Sequence, residues 1–461
     1  MINNKTKRIK KITTLFVAII MSAFTLALLT GCPDEDLNNI HMPSNRHLTQ
    51  AQRDLFLFNP YRNVDIASTP RFKADLHQHT TNSDGLASPN EMARRNATLG
   101  MDFVAFADHD HTWYGQWAQH PAGHIVITAP GATGLNRVAQ AQTWPWSAFG
   151  VQADNHGLIP IQATELSRMH HIGSFFTDFT DHTNNQSART DRELLEQATA
   201  HGQGVERFEI FHPQRYLAEV TGTTEFDAHL EWLNRPDQIE RLTAGWYQNL
   251  IRDFPNIISM EMFNQDNRHP SIHIYDRIMR GMFPSRPIWM SANSDDHTGH
   301  GGFSVNVMLL PERTIEAFQH GWETGAYFAK SFGDFDPNLL EIPEQYWETE
   351  LEMLPHLRTR QNWGARWSFL PRVNDIIICD ALGYIRVDAS NFTHFEWITE
   401  DGVVVADGNI VNFRTNTAIS NYVRGQLTRR DETGRVLATT LMQPFGVGTY
   451  DPTSGFFRFA P

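Results

Sequence analysis

Cysteine is almost absent from this chain: only Cys32 and Cys379 occur among 461 residues. Basic residues are also short, with 38 Lys and Arg against 52 Asp and Glu, for a formal charge of −14. A surface of that sign opposes nonspecific adhesion to nucleic acid, and no stable nucleic-acid complex is expected. A negatively charged substrate would need local positive charge, which bound metal could supply. Long low-complexity tracts are missing too. With 41% hydrophobic and 11% aromatic residues, the chain has enough apolar material for a sizeable core.

The N-terminus reads as an address. Lys5, Lys7, Arg8, Lys10 and Lys11 precede a mostly apolar stretch from Ile12 to Leu29, and Leu29-Thr30-Gly31-Cys32 has the form of a bacterial lipobox. A transmembrane helix would fit the same apolar length. Small residues leading into a cysteine, followed by the polar run from Pro33 to Asn39, favour cleavage and lipidation at Cys32. Residues 1–31 are then a lipoprotein signal peptide. The mature chain would be lipid-anchored in the bacterial cell envelope, and outer-membrane delivery is mildly favoured in a diderm host. Loss of the leader's five positive charges takes the mature charge to about −19. Lipidated Cys32 would leave Cys379 without an intrachain partner, so no disulfide framework is expected.

Residues 32–66 are polar and read as a tether. From Phe72, apolar strand-like runs alternate with helical patterns to about residue 332. Strands are expected at Phe72–Leu76, Met101–Ala107, Leu158–Thr164, Arg207–Phe211, Ile257–Phe263, Pro287–Ala292 and Ser304–Leu310. Capping boxes at Ser88-Pro89-Asn90-Glu91 and Thr190-Asp191-Arg192-Glu193 open two of the helices. The alternation predicts an α/β fold with a largely parallel sheet, open or closed into a barrel. Residues 112–156 interrupt it as a Trp-, Gly- and Pro-rich insertion, and 333–372 form a connector. From 373 to 461, short alternating runs with turns at Asp401-Gly402 and Asp407-Gly408 predict a small antiparallel β-sandwich-like domain.

Polar residues recur at the predicted strand ends: His77/His79, Asp108/His109, Glu165, His212 and Asp295/His297. The strand period of two puts His77 and His79 on one face, and Asp295-x-His297 repeats the spacing. Imidazoles and carboxylates aimed at one point suit divalent metal. In parallel α/β sheets such ends share a face, which is where sites are built.

These residues form an ordered series: Asp75-Leu76-His77-Gln78-His79-Thr80, Ser83-Asp84-Gly85, Asp108-His109, Glu165, His171-Ile172-Gly173, Phe211-His212-Pro213 and Ser294-Asp295-Asp296-His297. The series resembles the motifs of the PHP (polymerase and histidinol phosphatase) family over roughly residues 71–332, with the barrel domain expected at 67–332. The resemblance implies a distorted (β/α)7 barrel with three divalent ions (Mn, Fe or Zn) at the C-terminal strand ends. It implies that His77, His79, Glu165 and Asp295 hold one ion, that bridging Glu165 with His171 and His212 holds a second, and that Asp84, His109 and His297 hold a third. His170 competes with His171, which is preferred because it directly precedes Ile-Gly. Nine such ligands, six neutral imidazoles and three carboxylates, would leave three divalent ions with a net positive charge that attracts a phosphoryl group. The implied activity is hydrolysis of a small-molecule or nucleotide phosphoester by a metal-bridging hydroxide. Glu165, Asp295, His297 and His212 are the implied catalytic residues.

Other residues carry weaker signals. Arg215 and Asn264 are candidate substrate contacts, although a surface position for Arg215 and structural hydrogen bonding for Asn264 explain them as well. Asp110 and His111 are candidates for orienting ligands. His120, His124 and His156 read as bystanders, and the C-terminal domain carries no assigned chemistry. Two other readings stand: an amidohydrolase, which also begins with His-x-His but has no bridging lysine at a strand end here, and a non-catalytic surface-binding lipoprotein.

Overall fold

A computed structural model describes residues 48–110, 142–167, 171–180, 190–213, 246–264, 272–299, 302–332, 367–450 and 457–458. Cys32, His170, Arg215, His111 and most of the insertion and connector lie outside the described residues.

In chain order the elements begin with α1 (Gln50–Arg53), β1 (Leu55–Phe58), β2 (Arg71–Asp75), α2 (Pro89–Thr98), β3 (Phe103–Ala105), β4 (Ile159–Ile161), β5 (Ala163–Leu166) and β6 (Ile172–Phe175). They continue with α3 (Asp191–Gly202), β7 (Arg207–Ile210), α4 (Gln248–Asp253), β8 (Ile257–Phe263), α5 (Ile272–Ile278), β9 (Trp289–Ala292), β10 (Ser304–Leu309), α6 (Ile315–Thr324) and β11 (Tyr327–Phe332). The C-terminal strands are β12 (Arg372–Cys379), β13 (Tyr384–Ser390), β14 (His394–Ile398), β15 (Val404–Asp407), β16 (Ile410–Asn412), β17 (Tyr422–Arg430), β18 (Val436–Met442), β19 (Phe445–Tyr450) and β20 (Phe457–Arg458). Helices α2 and α3 start where their caps predict. The Ser88 and Thr190 hydroxyls accept from the Glu91 and Glu193 amides at 3.3 and 3.2 Å.

Three sheets form among the described residues; the smallest is β12-β13-β16, and the other two position the site. One runs β1-β19-β17-β18-β11-β10-β2-β3-β4, the other β5-β6-β7-β8-β9. Parallel pairs join β2 to β3, β3 to β4, β7 to β8 and β8 to β9. By contrast, β10 is antiparallel to both β2 and β11, and β6 is antiparallel to both β5 and β7. The expected largely parallel sheet is therefore mixed, and among the described residues no ladder closes it into a barrel. The predicted strand at 158–164 is in fact two strands in different sheets. The short link from β5 to β6 is too brief for a helical crossover, so it enforces antiparallel pairing.

The tether also needs correction. Leu55-Phe56-Leu57-Phe58 forms an edge strand on β19, and Tyr61 and Ile66 are buried. A four-residue apolar run inside a polar stretch is enough to recruit a sheet edge. The C-terminal strands are likewise no detached module, since β18 pairs directly with β11. Cys379 is buried and disulfide-bonded, which corrects the expectation that it lacks a partner.

A buried ion pair fastens the C-terminal strands to the α/β core. Arg424 on β17 grips Asp276 on α5 through both carboxylate oxygens, at 2.8 and 2.6 Å, and the Tyr422 hydroxyl donates to the same carboxylate at 2.9 Å. Nearby, the Gln443 amide pairs with both backbone groups of Met290 at 2.9 and 2.8 Å, standing in for a further strand at the β9 edge. Removing one member of a desolvated pair strands the other charge, so Arg424→Ala should cost about 3–5 kcal/mol in denaturant unfolding. A loss under about 1 kcal/mol, the value of an exposed pair, would contradict this description.

Candidate metal centre

The centre lies where the two sheets meet. Two isolated parallel bridges, Gln78 to Asp296 and His109 to Glu165, join segments of the two sheets, which share no ladder among the described residues. The ligand-bearing segments are thus themselves the seam. His77 and His79 leave the end of β2 on one face, as their spacing predicts, and their Nε2 atoms lie 3.1 Å apart. The following loop folds back on them: the Gly85 amide donates to the Thr80 carbonyl at 2.9 Å. A Cβ at Gly85 would stand 2.4 Å from the His79 carbonyl oxygen, so the loop that presents Asp84 requires glycine there. Asp108, buried at the end of β3, accepts from the Thr80 amide and hydroxyl, both at 2.7 Å, and from the Ser83 hydroxyl at 2.6 Å. It fixes the loop while its neighbour His109 faces the centre.

Glu165 on β5 is the hub. Its fully buried carboxylate is approached by His171 Nδ1 at 2.6 Å, His109 Nδ1 at 2.8 Å, His79 Nε2 at 3.3 Å, His77 Nε2 at 3.5 Å and His212 Nε2 at 3.7 Å. Asp295 makes a second convergence, with His79 Nε2 at 3.1 Å, His77 Nε2 at 3.3 Å and His212 Nε2 at 3.5 Å. Asp84 closes the outer side, 3.2 Å from His297 Nε2 and 3.4 Å from His109 Nε2. His212 and Asp295 both sit at positive φ, 42° and 46°. Such backbone strain in a non-glycine residue is commonly held by surrounding structure at functional sites.

All nine residues of the expected ligand set meet here. Donor atoms group as His79/Asp84/His109/His297, His77/His79/Glu165, His109/Glu165/His171 and His77/His212/Glu261, the last bringing in a residue outside the expected set, while Asp295 joins through its contacts with His77, His79 and His212. Divalent metal fits this donor set. Neither buried Glu165 oxygen accepts a hydrogen bond of normal geometry, although imidazole nitrogens surround both. A buried carboxylate left so is expensive unless a cation belongs beside it.

The electrostatics agree. Burial alone would raise the carboxyls, but the imidazoles around them hold Glu165, Asp295 and Asp84 well below the ordinary carboxylate range. Burial likewise opposes charge on His77 and His109, yet Asp295, Glu261 and Glu165 raise the first, and Glu165 and Asp84 the second. His297 is pushed up to about 9 by Asp295 and Asp84 against the opposing effect of burial. Burial and the neighbouring His297 and His109 lower His79 instead.

Several groups here were not assigned from sequence. Glu261, inside the apolar strand β8, meets His77 Nδ1 at 3.1 Å. Glu209 on β7 bonds the Asn293 amide at 2.9 Å and the Ser291 hydroxyl, and burial, with Glu261 adding, pushes it up to about 8. Phe211 stacks on the His77 ring at 3.7 Å between centroids and 10° between planes. A Cβ on Gly173 would lie 2.4 Å from the Phe211 ring, which explains the glycine after His171-Ile172. The available signal was an acid isolated in an apolar strand, at Glu209 and at Glu261. Of the weaker candidates, Asp110 accepts from the Ser167 amide at 3.1 Å and so steadies the segment after Glu165. Asn264 spends its amide nitrogen on Glu261 Oε2 at 2.8 Å and lies 2.7 Å from His212 Nδ1, so it has structural hydrogen bonds beside the site. His156 lies 3.3 Å from Asn90 Oδ1 on the surface.

A divalent ion must displace protons from His77, His109 and His297. Groups whose pKa is raised keep their protons to higher pH, so affinity should climb from the ordinary histidine value of 6.5 through about 9. Calorimetry in two buffers of different ionisation enthalpy should show proton release on binding. A binding heat independent of the buffer would contradict it.

No family model matches the chain, and no curated protein does either. Among solved structures, a two-domain protein from Bacteroides vulgatus containing a predicted PHP-like metal-dependent phosphoesterase is similar at 13% identity and TM-score 0.41, covering 82% of this chain and 96% of that one. An amidohydrolase from Chromobacterium violaceum with bound sulfate gives 13% identity and TM-score 0.29, over 54% of this chain and 96% of that one. A protein from Bifidobacterium adolescentis, assigned by prediction as a metal-dependent phosphoesterase, gives 16% identity and TM-score 0.25, over 51% and 92%.

Proposed function

We propose that this chain is a metal-dependent hydrolase of phosphoesters with a trinuclear centre of the PHP type. The observation that carries the reading is one cluster of six imidazoles and three carboxylates, in which five of the imidazoles approach the buried Glu165 carboxylate and the sixth, His297, meets Asp84 and Asp295. In the proposal His77, His79, Glu165 and Asp295 hold one ion; Glu165, His171 and His212 a second; Asp84, His109 and His297 a third. The mixed donors suit Mn, Fe or Zn. When bound, such ions supply Lewis acidity toward a phosphoryl oxygen and a more acidic water.

The protein's own residues do the rest. Glu165, buried between histidine sets, holds them in register and keeps a fixed negative charge at the floor. His297 and Asp84 are the part-exposed members, 29% and 28% accessible, so substrate enters on their side. There His297 is placed to meet the leaving oxygen, while His212 and Asp295 stay deeper. The amidohydrolase alternative lacks its usual lysine bridge. After residue 11 the sequence has two lysines, Lys73 and Lys330. Lys73 lies on β2 beside Gly100, and Lys330 Nζ donates to the Pro371 carbonyl at 2.6 Å, neither of them near Glu165. Cys32 is the one other cysteine in the sequence, so lipid attachment there and an intrachain disulfide to Cys379 exclude each other, and lipid labelling of wild type and Cys32→Ser separates the two.

The test is turnover by metal-loaded protein across phosphomonoesters, phosphodiesters, amides and lactones. Phosphoester turnover is expected, and Glu165→Gln should fall below about one-hundredth of wild type. The exposed Arg192→Ala should be unaffected, because Arg192 pairs with Asp253 and lies over the Phe254 ring at the surface. Turnover confined to amides or lactones would overturn the assignment.

A further inference from the structure

Glu261 lies on β8, an inner strand of the five-stranded sheet between β7 and β9; it is 1% exposed, and the strand is otherwise apolar apart from Ser259. A carboxylate there needs a purpose, since burying it without partners costs several kcal/mol. Its four neighbours supply one. Oε2 accepts from the His212 backbone N–H at 3.1 Å and from Asn264 Nδ2 at 2.8 Å. Oε1 accepts from Asn293 Nδ2 at 3.1 Å and faces His77 Nδ1, also at 3.1 Å.

The Asn293 amide orientation follows from its other partners. The Leu76 backbone N–H, which can only donate, points at Asn293 Oδ1 at 3.1 Å, so the nitrogen must face Glu261. Three fixed donors therefore anchor the carboxylate, one of them a backbone amide. The remaining contact is completed by an N–H on His77 Nδ1. In a neutral imidazole that leaves the lone pair on Nε2, the atom lying 3.3 Å from Asp295 and 3.5 Å from Glu165. Phe211 stacked on one face of the ring prevents it from turning away.

We propose that Glu261 is a positioning residue that holds His77 in the Nδ1–H tautomer, so that Nε2 is presented to a divalent ion. The inference rests on the metal-centre reading above and deepens it. A hydrogen-bonded carboxylate behind a ligating histidine fixes the tautomer and makes the ring a better donor. Loss of such a partner typically weakens metal binding by roughly 10–100-fold.

The experiment is zinc affinity of the full chain, measured by competition with a chromophoric chelator, in a double-mutant cycle. Glu261→Gln and Glu261→Ala should each weaken one site by roughly 10–100-fold and leave the remaining stoichiometry unchanged. Within a His77→Ala background the same changes should alter affinity by less than about threefold, because the residue through which Glu261 acts is gone. If Glu261→Ala fails to fold, the isosteric Glu261→Gln alone decides. Affinity unmoved in both Glu261 variants would overturn the inference while leaving the metal centre intact. So would an equal loss with and without His77, since Glu261 would then act by another route. Wild-type protein that binds no zinc, manganese or iron would overturn the metal-centre reading, and this inference with it.

Discussion

Everything in this molecule is arranged around the cost of burying the Glu165 carboxylate. Placed in a fully buried strand, it needs compensating positive charge or donors, and five imidazoles supply the surroundings without satisfying it by hydrogen bonds. The two sheets meet at this point through His109–Glu165 and Gln78–Asp296 bridges rather than a continuous ladder. The buried polar cluster sits at this junction. That position makes the cluster a structural joint, so metal occupancy and stability of the seam are coupled.

A second layer keeps the histidines aimed. Asp108 ties down the loop carrying Asp84, Asn293 and Asn264 anchor Glu261, and Phe211 pins the His77 ring. Two glycines belong to this layer through what they lack: side chains at Gly85 and Gly173 would collide with the His79 backbone and the Phe211 ring. Polar groups this deep are costly unless fully partnered, and here most partners are other buried polar groups. The result is a preorganised donor set whose most exposed members, among the described residues, are Asp84 and His297.

The centre was legible because its chemistry is written in residue types at strand ends. His77-x-His79 and Asp295-x-His297 announce their shared face through the strand period, and Glu165 stands at the end of an apolar run. The supporting groups were less visible. Glu261 and Glu209 are single acids inside apolar strands, and nothing local says that they face the site. The sheet was harder still. β6 is only four residues, Ile172-Gly173-Ser174-Phe175, and β11 begins just after α6, so neither short run stands out from its flanks. That β18 would pair with β11 depends on a contact across more than a hundred residues, which periodicity cannot report. Likewise Leu55–Phe58 finds its partner at the other end of the chain.

The C-terminal strands therefore matter to the site without touching it. Through β18 and the Asp276–Arg424 pair they extend and brace the sheet that carries β2, and hence His77 and His79. The most direct test of the whole account is the location of metal in crystals of the full chain, by anomalous scattering at the Mn, Fe and Zn edges. The account predicts three peaks around Glu165, contacted by His77, His79, Asp84, His109, His171, His212, Asp295 and His297. Crystals grown with these metals that show no peak within reach of the Glu165 carboxylate would contradict it.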